Sequence, residues 1–137
     1  MAPQQKQPLK VILDANFLFV PSQFGLDIYE ELSQLLNRRY EPILLSSTKK
    51  ELEGLAQSSN KIGKQAVLGL KVSERCSFVD VDKNLDETYD DVIVRVASEW
   101  GVPVGTNDKE LHKRLRKVGV PVIFLRQKRR FEMDGAV

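Results

Sequence analysis

Leu9-Lys10-Val11-Ile12-Leu13-Asp14 is a short apolar run, rich in β-branched residues, that stops on a carboxylate. This is the pattern of a buried strand whose carboxyl end carries a charge. The same kind of run recurs down the chain at Pro42-Ile43-Leu44-Leu45, Ser77-Phe78-Val79, Val102-Pro103-Val104-Gly105 and Val120-Pro121-Val122-Ile123-Phe124-Leu125. Between these runs the apolar spacing becomes helical. Ile28, Tyr29, Leu32, Leu35 and Leu36 share one face after a loop at Pro21–Gly25. Thr48-Lys49-Lys50-Glu51 reads as a capping box opening a helix with Leu52, Leu55 and Ala56. Lys61–Arg75 predicts a helix with Ile62, Ala66, Val67 and Leu70 inward. Thr88 leads into Val92, Ile93, Val96, Ala97 and Trp100, stopped by Gly101, and Asn107 with Glu110 marks a last helix ended by Gly119. Strands alternating with helices predict an α/β fold of three α/β/α layers, with a five-stranded parallel sheet joined by right-handed crossovers. The expected organisation is a flexible start at 1–8, one domain over 9–131 and a tail at 132–137.

The 137 residues suit one domain with a core that needs no staples, and Cys76, the only cysteine, excludes an internal disulfide and a multi-cysteine zinc site. The polar start and the absence of an apolar run near the roughly 18 residues of a membrane span set the expectation of a cytoplasmic protein with no membrane partner. The net charge of +2 conceals an asymmetry. Residues 1–108 carry 12 basic and 16 acidic side chains, and residues 109–137 carry 9 and 3. A basic end suits a polyanion, and the acids at 80, 82, 86, 87, 90 and 91 suit a cation.

Ligands of open α/β sheets bind outside the carboxyl ends of the strands. Asp14 ends the first strand, and Glu51, Asp90 and Asp108 stand in the first turns of the helices that follow the second, third and fourth. Four strand ends thus deliver carboxylates to one edge, where their mutual repulsion calls for a hard divalent ion such as Mg²⁺ or Mn²⁺. Singly, Glu51 and Asp108 also read as helix caps, and Asp91, three residues after Thr88, reads as a reciprocal cap. Other chemistries lack their parts: no Gly-rich phosphate loop, no Gly-x-Gly-x-x-Gly after a strand and no Gly-x-Ser-x-Gly elbow is present. The single histidine, His112, lies among lysines and arginines and reads as solvated or phosphate-facing.

Val11-Ile12-Leu13-Asp14-Ala15-Asn16 resembles the opening signature of PIN-domain nucleases. Glu51-Leu52-Glu53-Gly54-Leu55, Asp90-Asp91-Val92-Ile93 and Gly105-Thr106-Asn107-Asp108-Lys109-Glu110-Leu111 are similar to the second, third and fourth motifs of that family, with Thr106 and Asp108 in its Thr-x-Asp arrangement. Gln23–Ile28 and Gly119–Arg126 look like the archaeal and eukaryotic ribosomal-RNA-processing branch, which supplies small-subunit processome endonucleases.

The resemblance implies a PIN-like fold and a metal-dependent endoribonuclease that cleaves single-stranded RNA, pre-rRNA foremost, leaving a 5′ phosphate and a 3′ hydroxyl. Asp14, Glu51, Asp90 and Asp108 are its expected catalytic residues. Asp14, Asp108 and either Asp90 or Asp91 would hold one or two Mg²⁺ or Mn²⁺ ions, Glu51 would orient a water, and Asn16 and Thr106 would fix the carboxylates by hydrogen bonds. Substrate would be drawn by Lys109, Lys113, Arg114, Arg116 and Lys117 on the last helix and by Arg126, Lys128, Arg129 and Arg130 beyond the last strand. Ribosome-assembly factors are further expected partners, as is a second copy docked through apolar residues of Phe17–Phe24 and Val92–Trp100. Two alternatives compete: a toxin-type ribonuclease held by an antitoxin, and a non-catalytic RNA-binding assembly factor.

Overall fold

A computed structural model describes residues 7–137. The flexible start expected at 1–8 lies, for residues 1–6, outside the described residues. The chain forms β1 (Leu9–Leu13), a 3-10 turn (Ala15–Phe19), α1 (Val20–Phe24), α2 (Ile28–Leu36), β2 (Tyr40–Leu45), α3 (Ser46–Ala56) and α4 (Lys61–Val72). A second 3-10 turn (Ser73–Arg75), β3 (Ser77–Val79), α5 (Tyr89–Trp100), β4 (Val104–Gly105), α6 (Lys109–Lys117), β5 (Val122–Arg126) and β6 (Arg130–Asp134) follow. The sheet order is β3-β2-β1-β4-β5-β6. β1 to β5 pair in parallel, with Ile12 against both Ile43 and Val104.

Each side of the sheet has its own core. Val11, Leu13, Leu44 and Ile123 face the 3-10 turn and the helices α2, α3 and α4. Ile12, Ile43, Val104 and Val122 face α5 and α6 through Val92, Ile93, Val96, Leu111 and Leu115. These apolar side chains are nearly free of solvent, and their burial is the main favourable term of folding. The three α/β/α layers follow from strands that are apolar on both faces.

Five details differ from the sequence reading. The sheet has six strands and is mixed, because β6 pairs antiparallel to β5, Leu125 against Phe131, and runs past the expected domain end into residues 132–134. Its sequence, Arg-Phe-Glu-Met-Asp, is short and charged. The hairpin turn before it places Gln127 and Lys128 at positive φ, where Asn-Gly would have been the legible signal. Phe131 seals β6 to the fold against the Phe17 ring, 4.6 Å between centroids. Pro21–Gly25, expected as a loop, belongs largely to α1.

The capping box at Thr48 and Glu51 does not form: α3 starts two residues earlier, at Ser46, with no side-chain cap. The inner face of α4 is Gly63, Ala66 and Gly69 rather than Ile62 and Val67, which are exposed. A methyl group on Gly63 would stand 1.8 Å from the Ser58 carbonyl oxygen, so α4 approaches the end of α3 closer than any larger residue permits. Lastly, the apolar residues read as a dimer contact are largely used internally. Phe17, Leu18, Phe19, Val20, Val92, Ile93, Val96 and Ala97 are buried in the two cores.

Candidate active site

After β3 the chain returns to the far side of β1, so β1 and β4 are the neighbours at which the strand order reverses. Such a reversal opens a crevice beyond the strand ends. Asp14 leaves β1 there with its N–H bonded to the Gly105 carbonyl of β4 (2.9 Å). Its carboxylate is 4% exposed, and accepts from Ala15 N–H (2.8 Å) through Oδ1 and from the Thr106 hydroxyl (2.8 Å) through Oδ2. Thr106 is fully buried and in turn accepts from Asp108 N–H (3.1 Å). Gly105 keeps this junction tight, since a Cβ there would come within 3.1 Å of Leu13 and the Phe17 ring.

Asp108, which the sequence offers as a cap beside Asn107, caps α6 by accepting from Leu111 N–H (2.9 Å). Asn107 instead accepts from Leu125 N–H (2.7 Å), tying the β4–α6 loop to β5. Asn16 does not touch a carboxylate: its Oδ1 accepts from Asn107 N–H (3.0 Å), and it lies 3.4 Å from the Thr106 hydroxyl, whose one proton goes to the nearer Asp14.

Asp90 and Asp91 separate cleanly. Asp91 forms a full capping box with Thr88 and an ion pair with Arg114 (2.8 Å), which together hold its carboxyl below the usual range. Asp90 is half-buried, and its pKa is raised, first by burial and then by the charge of Asp108. Of the acids crowded at 80–91, Asp90 is the one whose charge is felt at both Asp14 and Glu51. Glu87, by contrast, is tied to Arg95 through two hydrogen bonds (3.0 and 3.1 Å).

Burial, followed by the field of Asp90 and then Asp108, outweighs the Thr106 and Ala15 hydrogen bonds and pushes Asp14 up to about 6. Glu51 goes to about 7, from burial and then the charges of Asp14, Asp90 and Asp108. Four carboxylates, on Asp14 directly after β1, on Glu51 in the second turn of α3 rather than the expected first, and on Asp90 and Asp108 at the starts of α5 and α6, therefore form one electrostatic unit. Glu51 Oε1 is buried without a hydrogen-bond partner, as are Ser47 Oγ and Thr48 Oγ1 one turn before it. An orphaned carboxyl oxygen coupled to three other carboxyl groups is the donor chemistry of a hard cation site. Among the described residues no three acidic or histidine side chains are grouped tightly enough to ligate one ion directly. Ser47 and Thr48 were not anticipated; their 47/48/51 spacing on one helix face was the available signal, masked by the capping-box reading.

The basic residues lie on α6 and around the β5–β6 turn. Arg114 pairs with Asp91, Arg116 with Asp134 (3.4 Å), and Arg126 and Arg130 with Glu132 (3.3 and 3.4 Å). Among the described residues Lys109, Lys113, Lys117, Lys128 and Arg129 are exposed cations without a carboxylate partner. His112 is held by Asp134, with 2.8 Å between Nε2 and Oδ2, and its ring lies 5.3 Å from that of Phe124.

Residues 11–128 match the PIN-like domain family. Ribonuclease VapC4 of Methanocaldococcus jannaschii is 35% identical over 132 residues, 93% of this chain and 98% of that protein. The rRNA-processing protein fcf1 of Schizosaccharomyces pombe is 32% identical over 85% of this chain, which spans 58% of fcf1. Among solved structures, the PIN domain endonuclease Utp24 superposes with a TM-score of 0.79 at 27% identity, covering 95% of this chain and 94% of that one. Matched over residues 11–128 and superposing on a PIN endonuclease along nearly its whole length, the chain belongs to the PIN-domain family, whose members here include named ribonucleases and rRNA-processing proteins.

Proposed function

We propose that the protein is a metal-dependent endoribonuclease acting on single-stranded RNA in ribosomal RNA processing. The observation that carries this reading is the coupled set Asp14, Glu51, Asp90 and Asp108, with an orphaned Glu51 oxygen. Asp14, Asp90 and Asp108 would hold Mg²⁺ or Mn²⁺, partly through water. The cation supplies acidification of a water and neutralisation of charge on the phosphodiester. Thr106 fixes the Asp14 carboxylate by its 2.8 Å hydrogen bond. Glu51, buried beside the other three carboxylates with an oxygen free of protein partners, would orient the attacking water and accept its proton. The water oxygen would join phosphorus as its proton passes to Glu51, the bond from phosphorus to the 3′ oxygen would break, and that oxygen would take a proton from solvent water, giving 5′-phosphate and 3′-hydroxyl ends. Asp91 is assigned to the helix cap and to Arg114 rather than to the cation. Lys109, Lys113, Lys117, Lys128 and Arg129 would take the backbone phosphates first, with the four paired arginines exchanging carboxylate for phosphate as RNA docks.

The likeness to the rRNA-processing protein fcf1 over 85% of this chain supports the processing role, and the likeness to the Utp24 endonuclease over nearly the whole of both chains supports endonucleolytic cleavage. Its test is incubation with single-stranded pre-rRNA fragments and end analysis: ligatable 5′-phosphate fragments support hydrolysis, and cyclic-phosphate ends contradict it. The match to VapC4 over 98% of that ribonuclease favours a second reading, a toxin nuclease restrained by an antitoxin. Growth arrest on expression of the chain alone, relieved by a co-expressed partner, supports the toxin; harmless expression of active enzyme supports the processing role.

A further inference from the structure

Beside the carboxylate cluster a cavity of about 590 Å³ opens between α1, the β4–α6 loop and the β5–β6 turn. Two of its walls belong to residues that also build the site: Asn16 stands two residues after Asp14, and Asn107 lies between Thr106 and Asp108. Both carboxamide oxygens are taken, by Asn107 N–H and Leu125 N–H, so both Nδ2 donors are left without a protein acceptor among the described residues. Phe24, an exposed aromatic at the end of α1, and the His112–Phe124 pair supply aromatic surface. Asp134 holds the His112 ring in place through Nε2. Lys109 and Lys128 stand at the same cavity as unpaired cations.

The hairpin turn adds an independent observation. Gln127 and Lys128, which also line the cavity, have φ of 54° and 59° in a turn closed by Arg129 N–H to the Arg126 carbonyl (3.1 Å). These are positions that glycine or asparagine would occupy with less strain. Side chains kept at strained positions beside a cavity point to a use for those side chains.

We propose that this cavity seats a nucleobase of the RNA strand adjoining the phosphodiester at the carboxylates. Phe24 and the His112–Phe124 pair stack on its faces, the Asn16 and Asn107 amides donate to acceptors on its edge, and Lys109 and Lys128 hold the flanking phosphates. The inference rests on the nuclease reading for its strand but has its own test. The full chain, kept in EDTA so that no cleavage occurs, is titrated with each of the four nucleoside 5′-monophosphates, and with ribose 5-phosphate, while its backbone amides are followed by NMR. The expected result is saturable shifts at Asn107 and Leu125 with at least one nucleotide and none with ribose 5-phosphate at equal concentration. Phe24→Ala, at an exposed position, should weaken binding about tenfold or more, the scale of one lost base-stacking contact. Gln127→Asn with Lys128→Gly should raise the melting temperature and still weaken binding. Equal shifts with ribose 5-phosphate, or nucleotide binding unaltered in both variants, would overturn the pocket. Nucleotide binding by a protein that cleaves no RNA leaves the pocket standing and removes the nuclease reading; cleavage without base binding does the reverse.

Discussion

The Thr106 hydroxyl donates a 2.8 Å hydrogen bond to Asp14 Oδ2, joining the residue after β4 to the residue after β1 across the point where the strand order reverses. Asp14 is almost fully buried, so this bond and the Ala15 N–H are what keep its charge tolerable there. Thr106→Val should destabilise the protein by about 1–3 kcal/mol, the cost of leaving a buried acceptor short of a donor. It should also move the acid limb of the cleavage pH profile upward. Thr106→Ser should restore both, as read by denaturant unfolding and by rates across pH.

The raised carboxyls make stability depend on pH. Asp14 at about 6 and Glu51 at about 7 keep protons in the folded chain that an unfolded chain, with carboxyls near pH 4, has already lost. The folded state binds more protons in that window, so their contribution is fully present below about pH 4 and is lost as pH rises to about 7. In EDTA the melting temperature should carry a falling component from pH 4.5 to 7.5. Mn²⁺ should raise it more at pH 7.5 than at pH 5, which thermal unfolding at the two pH values checks.

The neighbouring aspartates should part company on substitution. Asp91→Asn removes a reciprocal cap and an exposed ion pair, and should lower stability modestly with activity largely kept. Asp90→Asn relieves repulsion with Asp108, and should leave stability equal or higher while cutting cleavage by about a hundredfold or more. Paired unfolding and rate measurements on the two variants decide the assignment.

Much of this architecture was legible in the sequence because its signals are periodic. β1, α2 and α5 announce themselves by apolar spacing, and the acids fall at strand ends, where open sheets bind ligands. What escaped were features set by contact rather than pattern. β6 is charged and follows a turn without glycine, so only the packing of Phe131 on Phe17 reveals it. The α4 face is made of Gly63, Ala66 and Gly69, which carry little hydropathy, so Ile62 and Val67 were read as inward. The three-residue spacing of Thr48 to Glu51 imitates a capping box, but α3 starts at Ser46, and Thr48 Oγ1 and Glu51 Oε1 are both buried without partners.

The glycines of the α3–α4 pair give a contrast that needs no assay of function. Gly63→Ala would put Cβ on the Ser58 carbonyl and should destabilise by about 3 kcal/mol or more. Gly54→Ala, in the interior of α3 with nothing within 4 Å of its Cβ, should stabilise by about 0.5–1 kcal/mol. Urea unfolding of the two variants measures both signs.

Removing an unpaired cation should weaken RNA binding at every sequence alike. Lys109→Ala, Lys113→Ala and Lys117→Ala should each lower the slope of log affinity against log salt by about 0.7, the value for a contact to a single strand. Arg130→Ala, whose guanidinium is shared with Glu132, should change it less. Fluorescence anisotropy with a labelled RNA over a salt series reads this directly.

Cleavage of an end-labelled single-stranded RNA by wild type and by Asp14→Asn, each with Mn²⁺ and with EDTA, tests the carboxylate cluster most directly. Asp14→Asn keeps the shape of the side chain and removes its charge. The expected result is cleavage by wild type in Mn²⁺ alone, abolished by EDTA and reduced at least a hundredfold in a variant that remains folded. Equal cleavage by the two proteins, or cleavage undiminished by EDTA, would contradict a catalytic cation site built on Asp14.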